Sequence, residues 1–311
     1  MTSVSTKQVR APSSAIDGPL AGGRTWSLHD SYDYCREIAT SHYENFPVGS
    51  ILVPKRLRRH FYSIYAFARI SDDFADEGYA EGYSEPDRLS WLSRWGEMLA
   101  ETYSGIVSHP VFVALGDTAE RFELPISLFR DLLSAFSQDV RVNRYKTFDE
   151  LLDYCRRSAN PIGRLVLLLF GYKEQRLFEY SDEICTALQL ANHWQDVRID
   201  LEKNRIYLPQ DDMEKFGVTR DDLKSAPSCE GIKRLLEFEV GVAADMFAQG
   251  KPLCTSVGGR LGIELRAVWL GGTTILRRIA ANEYDVFNRR PVITAKDKLR
   301  ILASAVCGIG F

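Results

Sequence analysis

Apolar residues recur at intervals of three and four along most of the chain from Tyr32 onward, the spacing of one face of an α-helix. No stretch shows the sustained alternation of apolar and polar residues that a half-buried β-strand requires. Short segments containing Pro or Gly separate the helical stretches. Predicted helices cover about 28–44, 56–77, 87–104, 110–122, 125–139, 147–157, 161–171, 181–202, 230–249, 255–282 and 295–309. The pattern predicts an all-α protein.

The organisation along the chain points to one domain. Residues 1–25 are rich in Ser, Ala, Gly and Pro and lack the apolar core of a signal peptide, so they are interpreted as a flexible N-terminal tail. No long linker or internal repeat divides residues 26–311, which we expect to form a single helical domain. The longest apolar run, 165–170, has six residues, whereas a membrane-spanning helix needs about 20. We therefore expect no membrane span.

Charge and cysteine content narrow the class of protein. Lys and Arg total 39 against 42 Asp and Glu, and a net charge of -3 gives no general cationic field for nucleic acid. The six cysteines are dispersed and contain no CxxC pair, which argues against a disulfide scaffold. We expect a cytoplasmic protein that binds no nucleic acid.

The first acidic cluster is DDFADE, at the end of the helix predicted after Pro54. Asp72 and Asp76 are four residues apart, so they share one helix face and repel each other unless a cation lies between them. Arg69 precedes them by one turn. Acidic side chains also oppose the helix macrodipole at a C-terminal end. A solvated acidic helix end is the alternative interpretation, and an isolated DxxxD pattern alone does not exclude it.

The second cluster lies in LQLANHWQDVRIDLEKNRIYLP. Asn192, Asp196 and Asp200 follow at intervals of four, with Gln189 one turn earlier. Ion pairs with neighbouring basic residues are the structural alternative for each acid taken singly. Two such clusters of oxygen ligands, without His or Cys at zinc spacing, favour Mg²⁺, which completes its coordination with water and substrate phosphate. The sequence contains no EF-hand loop and no nucleotide-binding fingerprint. It therefore predicts Mg²⁺ and a diphosphate substrate.

Five ordered motifs carry a family resemblance that extends over roughly 28–290. They are SHYENF, YAFARISDDFAD, YCRRSANPIG, QLANHWQDVRIDLEKNRIYLP and YDVF. Together they resemble the squalene and phytoene synthases, which join two prenyl units head to head. The resemblance implies an all-α, single-domain class I isoprenoid synthase, a helical bundle in which the two acidic helices face each other across a central cavity.

The resemblance also implies roles for individual residues. Predicted metal ligands are Asp72, Asp76, Asn192, Asp196 and Asp200, which with Tyr154 form the predicted catalytic set. Predicted substrate-binding residues are His42, Asn45, Phe46, Tyr65, Arg69, Gln189, Arg205 and Tyr284. The metals and the two arginines would neutralise the departing diphosphate. Candidates for the lining of a dry cavity that stabilises a carbocation are Phe46, Tyr65, Phe67, Leu165, Leu168 and Trp194, for most of which an ordinary core role is equally compatible with the sequence.

Departures from the family pattern give a finer prediction. Condensing members often have Arg directly before the aspartate of the second cluster, where this chain has Gln195. Asn45-Phe46 and Asn160-Pro161 are further departures, and these segments resemble the bacterial hopanoid branch that converts presqualene diphosphate to hydroxysqualene. That reaction needs no NAD(P)H, and Asn45, Tyr154 and Asn160 are candidates to position the water. Each could instead be a helix cap or a core hydrogen-bond partner.

Two alternatives stay open at this stage. A condensing enzyme of the same family would make presqualene diphosphate, squalene or phytoene from two prenyl diphosphates. A carrier or scaffold without chemistry is the other, although retention of both acidic clusters argues against it. The C-terminal helix, KDKLRILASAVCGIGF, either packs on the domain or lies at the inner membrane surface. One sequence does not identify the pathway partners.

Overall fold

The computed structural model describes residues 26–41, 53–76, 82–106, 109–225 and 229–311. Within these ranges the regular structure is helical, and the only extended pairing is an isolated bridge between Arg144 and Ile206. The helices, numbered here in chain order, are α1 Leu28–Ser41, α2 Lys55–Ala75, α3 Glu85–Tyr103, α4 Pro110–Phe122, α5 Ile126–Arg141, α6 Phe148–Ser158, α7 Asn160–Leu169, α8 Gln175–Gln195, α9 Val197–Glu202, α10 Gln210–Lys215, α11 Arg220–Ser225, α12 Glu230–Gly250, α13 Leu253–Ser256, α14 Gly259–Ala281 and α15 Ala295–Cys307.

The helices fall into two compact units, α1–α5 and α6–α15. The expectation that residues 26–311 form one domain stays a prediction. No helix within the described ranges is long and apolar enough to span a bilayer.

The first unit packs α1, α3, α4 and α5 around α2. Phe67 on α2 is completely buried, and its ring centroid lies 6.2 Å from that of Trp95, 6.1 Å from that of Phe112 and 5.3 Å from that of Phe129. Aromatic pairs at these separations add to the free energy of ordinary apolar burial. The contacts favour a core role for Phe67 over the cavity-lining role considered from the sequence.

The second unit is built on α8, which packs against α6, α7, α12 and α14. Gly163 on α7 allows a close approach of the two helices. A Cβ at this position would lie 2.3 Å from the Ser181 hydroxyl and 2.6 Å from the Cys185 sulfur, both on α8. The glycine of the YCRRSANPIG motif therefore has a packing reason.

Two predicted helices differ from the structure. The helix predicted over 181–202 begins earlier, at Gln175, and is interrupted at Asp196, whose backbone lies at φ -109° and ψ 14° between α8 and α9. The helix predicted over 255–282 is divided by Val257 and Gly258 into α13 and α14. Gly258 and Gly259 signal the second break, whereas no Gly or Pro marks the first.

Candidate active site

One row of polar side chains lies along α2. Tyr65, Arg69, Asp72 and Asp76 follow at intervals of four, three and four, which keeps them on one face, and all are only partly buried. The core face of the same helix carries Phe67 instead. Asp76 lies just beyond the end of α2, but its N–H still donates to the Asp72 carbonyl at 2.8 Å. The helical turn therefore continues through the first acidic cluster.

Two arginines compensate the negative charge at this end of α2. The Arg69 guanidinium lies 3.4 Å from the Asp72 carboxylate and 2.6 Å from that of Asp73. Arg88, a buried residue of α3, donates to the Ala75 carbonyl at 2.7 Å and so satisfies one carbonyl at the helix end. A cation at a helix C-terminus interacts favourably with the macrodipole. Sequence reasoning missed Arg88, because nothing local connects it to the cluster.

The second acidic cluster spans the junction of α8 and α9. Asn192 is exposed on α8, Asp196 occupies the interruption, and Asp200 lies on α9. The Asp196 N–H donates to the Asn192 carbonyl at 3.0 Å, and the Asp200 N–H donates to the Asp196 carbonyl at 2.9 Å. The four-residue spacing is thus maintained across the interruption. Arg205, from the same motif, donates its N–H to the Asp200 carbonyl at 2.7 Å.

A distant segment contacts this junction. Arg290 donates from Nε to Oδ1 of Asp196 at 2.5 Å and from Nη2 to Oδ2 at 3.1 Å. The side chain of Gln195, a buried residue, donates to the Pro291 carbonyl at 2.5 Å. Arg198 donates to the Phe287 carbonyl at 3.2 Å. Three contacts therefore attach the segment 287–291 to the α8–α9 junction.

Four aromatic rings form a cluster beside the second acidic cluster. His193 stacks on Tyr207 with centroids 3.6 Å apart and planes inclined by 15°. Tyr154 lies 6.2 Å from the His193 ring and 6.1 Å from that of Tyr207, and Tyr145 lies within 5.8 Å of Tyr154 and Tyr207. Backbone hydrogen bonds from Ile206 to Asn143 and from Gln210 to Tyr145 hold the strand-like segment that carries Tyr207.

His193 is neutral in this cluster. Burial and, as a smaller cause, the positive charge of Arg205 lower the pKa of His193 to about 3. The Nε2 of His193 lies 3.4 Å from Nε2 of Gln189, one of the predicted substrate-binding residues. From the sequence, His193 was considered only for zinc spacing, which none of the histidines has, so it had no predicted role. Its stacking on Tyr207 was not visible in the spacing.

The remaining predicted residues have distinct environments. Tyr154 is buried on α6, next to the rings described above. Asn160, at the start of α7, is buried and accepts a hydrogen bond from the Thr186 hydroxyl at 3.0 Å, which favours its role as a core partner. Tyr284 follows α14 with φ at 60°, and burial, with the negative charge of Glu237 as a further cause, raises the pKa of Tyr284. His42, Asn45 and Phe46 lie outside the described residues.

The donor set fits magnesium better than a protein-enclosed metal centre. In the part of the chain that the structure describes, no three His, Cys, Asp or Glu side chains gather as a ready metal site. Each of the two acidic clusters instead supplies carboxylates four residues apart, and the second acidic cluster adds the Asn192 amide oxygen. Mg²⁺ characteristically binds through one or two carboxylates and completes its shell with water and substrate phosphate. The residues present therefore suit a metal that arrives with a diphosphate.

Comparison with known proteins identifies relatives along nearly the whole chain. Residues 39–297 match the family model for squalene/phytoene synthase. A phytoene synthase from Arthrospira platensis is 32% identical over 89% of this chain and 92% of its own length. A hydroxysqualene synthase from Zymomonas mobilis is 37% identical over 72% of this chain and 75% of its own length.

Solved structures show the same fold. The squalene synthase HpnC from Alicyclobacillus acidocaldarius is 41% identical, with a TM-score of 0.78 over 83% of this chain and 96% of its own. A dehydrosqualene synthase solved with a ligand is 22% identical, with a TM-score of 0.80 over 91% of this chain and 97% of its own. These matches confirm the all-α isoprenoid synthase fold. The chain is an enzyme of the squalene/phytoene synthase family, which acts on prenyl diphosphates.

Proposed function

We propose that this enzyme converts presqualene diphosphate to hydroxysqualene and diphosphate by Mg²⁺-dependent ionisation and capture of the cation by water. The observation that carries the proposal is the neutral side chain before Asp196. Gln195 is only 7% exposed, and its amide is engaged with the Pro291 carbonyl. The likeness to the hydroxysqualene synthase of Zymomonas mobilis supports the same branch.

The reaction balances without a reductant. The C–O bond breaks and leaves its electron pair on the diphosphate; a water oxygen then bonds to the rearranged carbocation and releases a proton. The residues that would hold Mg²⁺ are Asp72, Asp76, Asn192, Asp196 and Asp200. The bound metal would stabilise the negative charge of the leaving diphosphate. No NAD(P)H takes part.

The chain's own cations add to the stabilisation of the leaving group. Arg69 lies among the carboxylates of the first row, and Arg205 follows the second row. In this proposal each presents a guanidinium to diphosphate oxygens, a geometry that suits Arg better than Lys. Gln189 and Tyr284 belong to the same proposed substrate-binding set.

The aromatic cluster suits the cation that ionisation leaves behind. The faces of tyrosine rings attract positive charge, and burial strengthens the attraction because water does not screen it. Tyr154 is 4% exposed, and neutral His193 covers one face of Tyr207 without placing a second positive charge there. The cluster therefore offers polarisable ring faces beside the second acidic row.

Product analysis tests the proposed reaction. Purified enzyme with Mg²⁺ is given farnesyl diphosphate alone or presqualene diphosphate alone, each with and without NADPH, and products are identified by mass spectrometry. We expect hydroxysqualene from presqualene diphosphate only, in equal yield with and without NADPH. Consumption of farnesyl diphosphate would refute the proposal and make the enzyme a condensing synthase.

The metal ligands have a separate test. Asp76→Ala and Asp196→Ala each remove one carboxylate from one acidic row, so we expect turnover of presqualene diphosphate to fall by about a hundredfold or more, the order typical for loss of a group that stabilises a developing anion. Asp245→Ala, on the exposed face of α12, is the matched control and should retain wild-type turnover. Activity retained in both cluster variants would contradict the assignment of these ligands.

Condensation of two prenyl diphosphates is the second candidate function. The observation in its favour is the phytoene synthase from Arthrospira platensis, which aligns over a larger share of this chain than the hydroxysqualene synthase does. The two candidates share the metal ligands and differ in substrate. The product analysis above separates them directly.

A surface helix suits contact with the membrane that holds such long hydrocarbons, and we propose peripheral association through α15. Leu299, Leu302 and Val306 are 71%, 48% and 56% exposed and share one face by their helical spacing. The opposite face, which includes the buried Asp297, packs toward α14, where Arg278 donates to the Asp297 carboxylate. Lys296 and Lys298 flank the apolar face on its two sides, as in helices that bind anionic lipid surfaces.

A further inference from the structure

The contact between Arg290 and Asp196 joins positions 94 residues apart in the sequence. The guanidinium engages both carboxylate oxygens, the two-point geometry of the strong Arg–carboxylate pairs. The two side chains are 39% and 27% exposed, so substrate and metal can reach them. Asp196 is thus both a proposed metal ligand and the partner of an internal cation.

The segment that carries Arg290 is held in place by other residues. Gln195, next to Asp196 in the chain, fixes the Pro291 carbonyl, which immediately follows Arg290. Arg198 fixes the Phe287 carbonyl on the other side, and the Asn282 amide donates to the Arg289 carbonyl at 3.0 Å. Hydrogen bonds therefore fix the backbone on both sides of Arg290, while the Arg290 side chain contacts the Asp196 carboxylate.

This arrangement has an electrostatic consequence. A carboxylate whose charge is compensated by a guanidinium attracts a divalent cation less strongly than the same carboxylate alone. When a metal ion binds the Asp196 carboxylate, the Arg290 guanidinium loses its ion-pair partner and is free to pair with another anion. Diphosphate is such an anion, because it has several negatively charged oxygens that accept hydrogen bonds and it binds together with the metal.

We propose that Arg290 is an exchangeable counter-ion that neutralises Asp196 in the substrate-free enzyme and transfers to the substrate's diphosphate when Mg²⁺ binds Asp196. Gln195 is the positioning residue that keeps the Arg290 segment against α8. The inference rests on the proposed function in one respect, the assignment of Asp196 as a metal ligand.

The proposal predicts effects of opposite sign on two binding constants. In Arg290→Gln, Mg²⁺ alone should bind more tightly, because Asp196 loses its competing cation. Pyrophosphate in saturating Mg²⁺ should bind more weakly, because the guanidinium no longer reaches it. For one ionic contact between partly exposed groups we expect each dissociation constant to change by about fivefold. A purely structural role of Arg290 would weaken both.

Isothermal titration calorimetry of the full chain measures both constants directly. Arg289→Gln removes the same charge one position earlier and is the control, since the hydrogen bond described at this residue uses its main-chain carbonyl. Arg290→Lys retains the charge and should recover part of the pyrophosphate affinity. Equal Mg²⁺ affinity in Arg290→Gln and wild type, or a loss of affinity for both ligands, would overturn the proposal.

The role of Gln195 is tested by non-additivity. Gln195→Met keeps the side-chain length but cannot donate a hydrogen bond to the Pro291 carbonyl. It should therefore change the dissociation constants of Mg²⁺ and pyrophosphate in the same directions as Arg290→Gln, by smaller factors. Because it acts through Arg290, it should add little to Arg290→Gln in the double variant. Additive shifts would show that Gln195 acts independently and would refute its positioning role.

Failure of the counter-ion proposal is distinguishable from failure of the proposed function. Wild-type enzyme that makes hydroxysqualene and binds Mg²⁺ with pyrophosphate, but shows no shift in Arg290→Gln, refutes only the role of Arg290. Wild-type enzyme that binds neither ligand refutes the metal assignment and the counter-ion proposal together.

Discussion

The buried imidazole of His193 should make the stability of the protein depend on pH in a defined window. Its pKa is lowered from 6.5 to about 3, chiefly by burial, so the folded protein keeps it neutral over the mildly acidic range. The unfolded chain, by contrast, takes up a proton near pH 6.5. Between these values the unfolded state binds more protons, and stability falls as the pH is lowered.

The size of the effect follows from the two pKa values. Stability should decrease by about 1.4 kcal/mol for each pH unit between 6.5 and 3. From pH 6.5 to 5.0 this amounts to roughly 2 kcal/mol attributable to His193. His60, whose pKa burial also lowers, to about 4, is present in every protein compared, so its contribution cancels.

Urea unfolding followed by circular dichroism at pH 7.0 and pH 5.0, in the presence of EDTA, measures the effect. His193→Leu should lose about 2 kcal/mol less than wild type between the two pH values. The stability of His193→Leu at pH 7 also changes, because the ring stack with Tyr207 is lost. The quantity compared is therefore the change in the free energy of unfolding between pH 7.0 and pH 5.0. Tyr207→Phe preserves the covering ring and should behave as wild type. Equal pH dependence in wild type and His193→Leu would refute the reasoning.

Three further predictions concern packing, backbone and surface. Gly163→Val should destabilise the second unit by about 2 kcal/mol or more, measured by urea unfolding, since its Cβ would meet Ser181 and Cys185 on α8; an unchanged midpoint would contradict the close approach. Glu283→Gly should stabilise the protein by about 1 kcal/mol in the same assay, because this exposed residue has φ at 54°; a loss of stability would contradict this account of backbone strain. Leu302→Glu should abolish sedimentation with phosphatidylglycerol vesicles, whereas Ser304→Ala on the less exposed side of α15 should not; equal sedimentation would exclude this face as the membrane contact.

The features that the sequence predicted are mostly local along the chain. The α2 row of Tyr65, Arg69, Asp72 and Asp76 follows from helical spacing alone, because all four side chains belong to one helix and its last turn. Helix boundaries with Pro or Gly nearby, such as the start of α4 at Pro110, were also close to their predicted positions. The all-α fold was predicted correctly from the spacing of apolar residues, and the family from five motifs in their order along the chain.

The features that were not predicted depend on contacts between distant parts of the chain. The interruption of the helix at Asp196 has no local breaker and coincides with the contacts made by Arg290 and Pro291. Arg88 acts on the end of α2 from the following helix, and Tyr145 joins the aromatic cluster through a backbone pairing with the segment at 206–210. A basic pair one residue after the YDVF motif, Arg289-Arg290, was the available signal for a further charged contact.

The contacts at the α8–α9 junction make positions 195 and 290 mutually dependent in any change of the sequence. An arginine introduced at position 195 alone would remove the hydrogen bond between Gln195 and the Pro291 carbonyl. It would also place a second guanidinium beside the Asp196 carboxylate, which already pairs with Arg290. Like charges at such short range are unfavourable, so this single step should be selected against even if the double replacement is well tolerated. The two positions therefore form an epistatic pair. Directed evolution toward an arginine at 195 should first pass through the loss of the cation at 290.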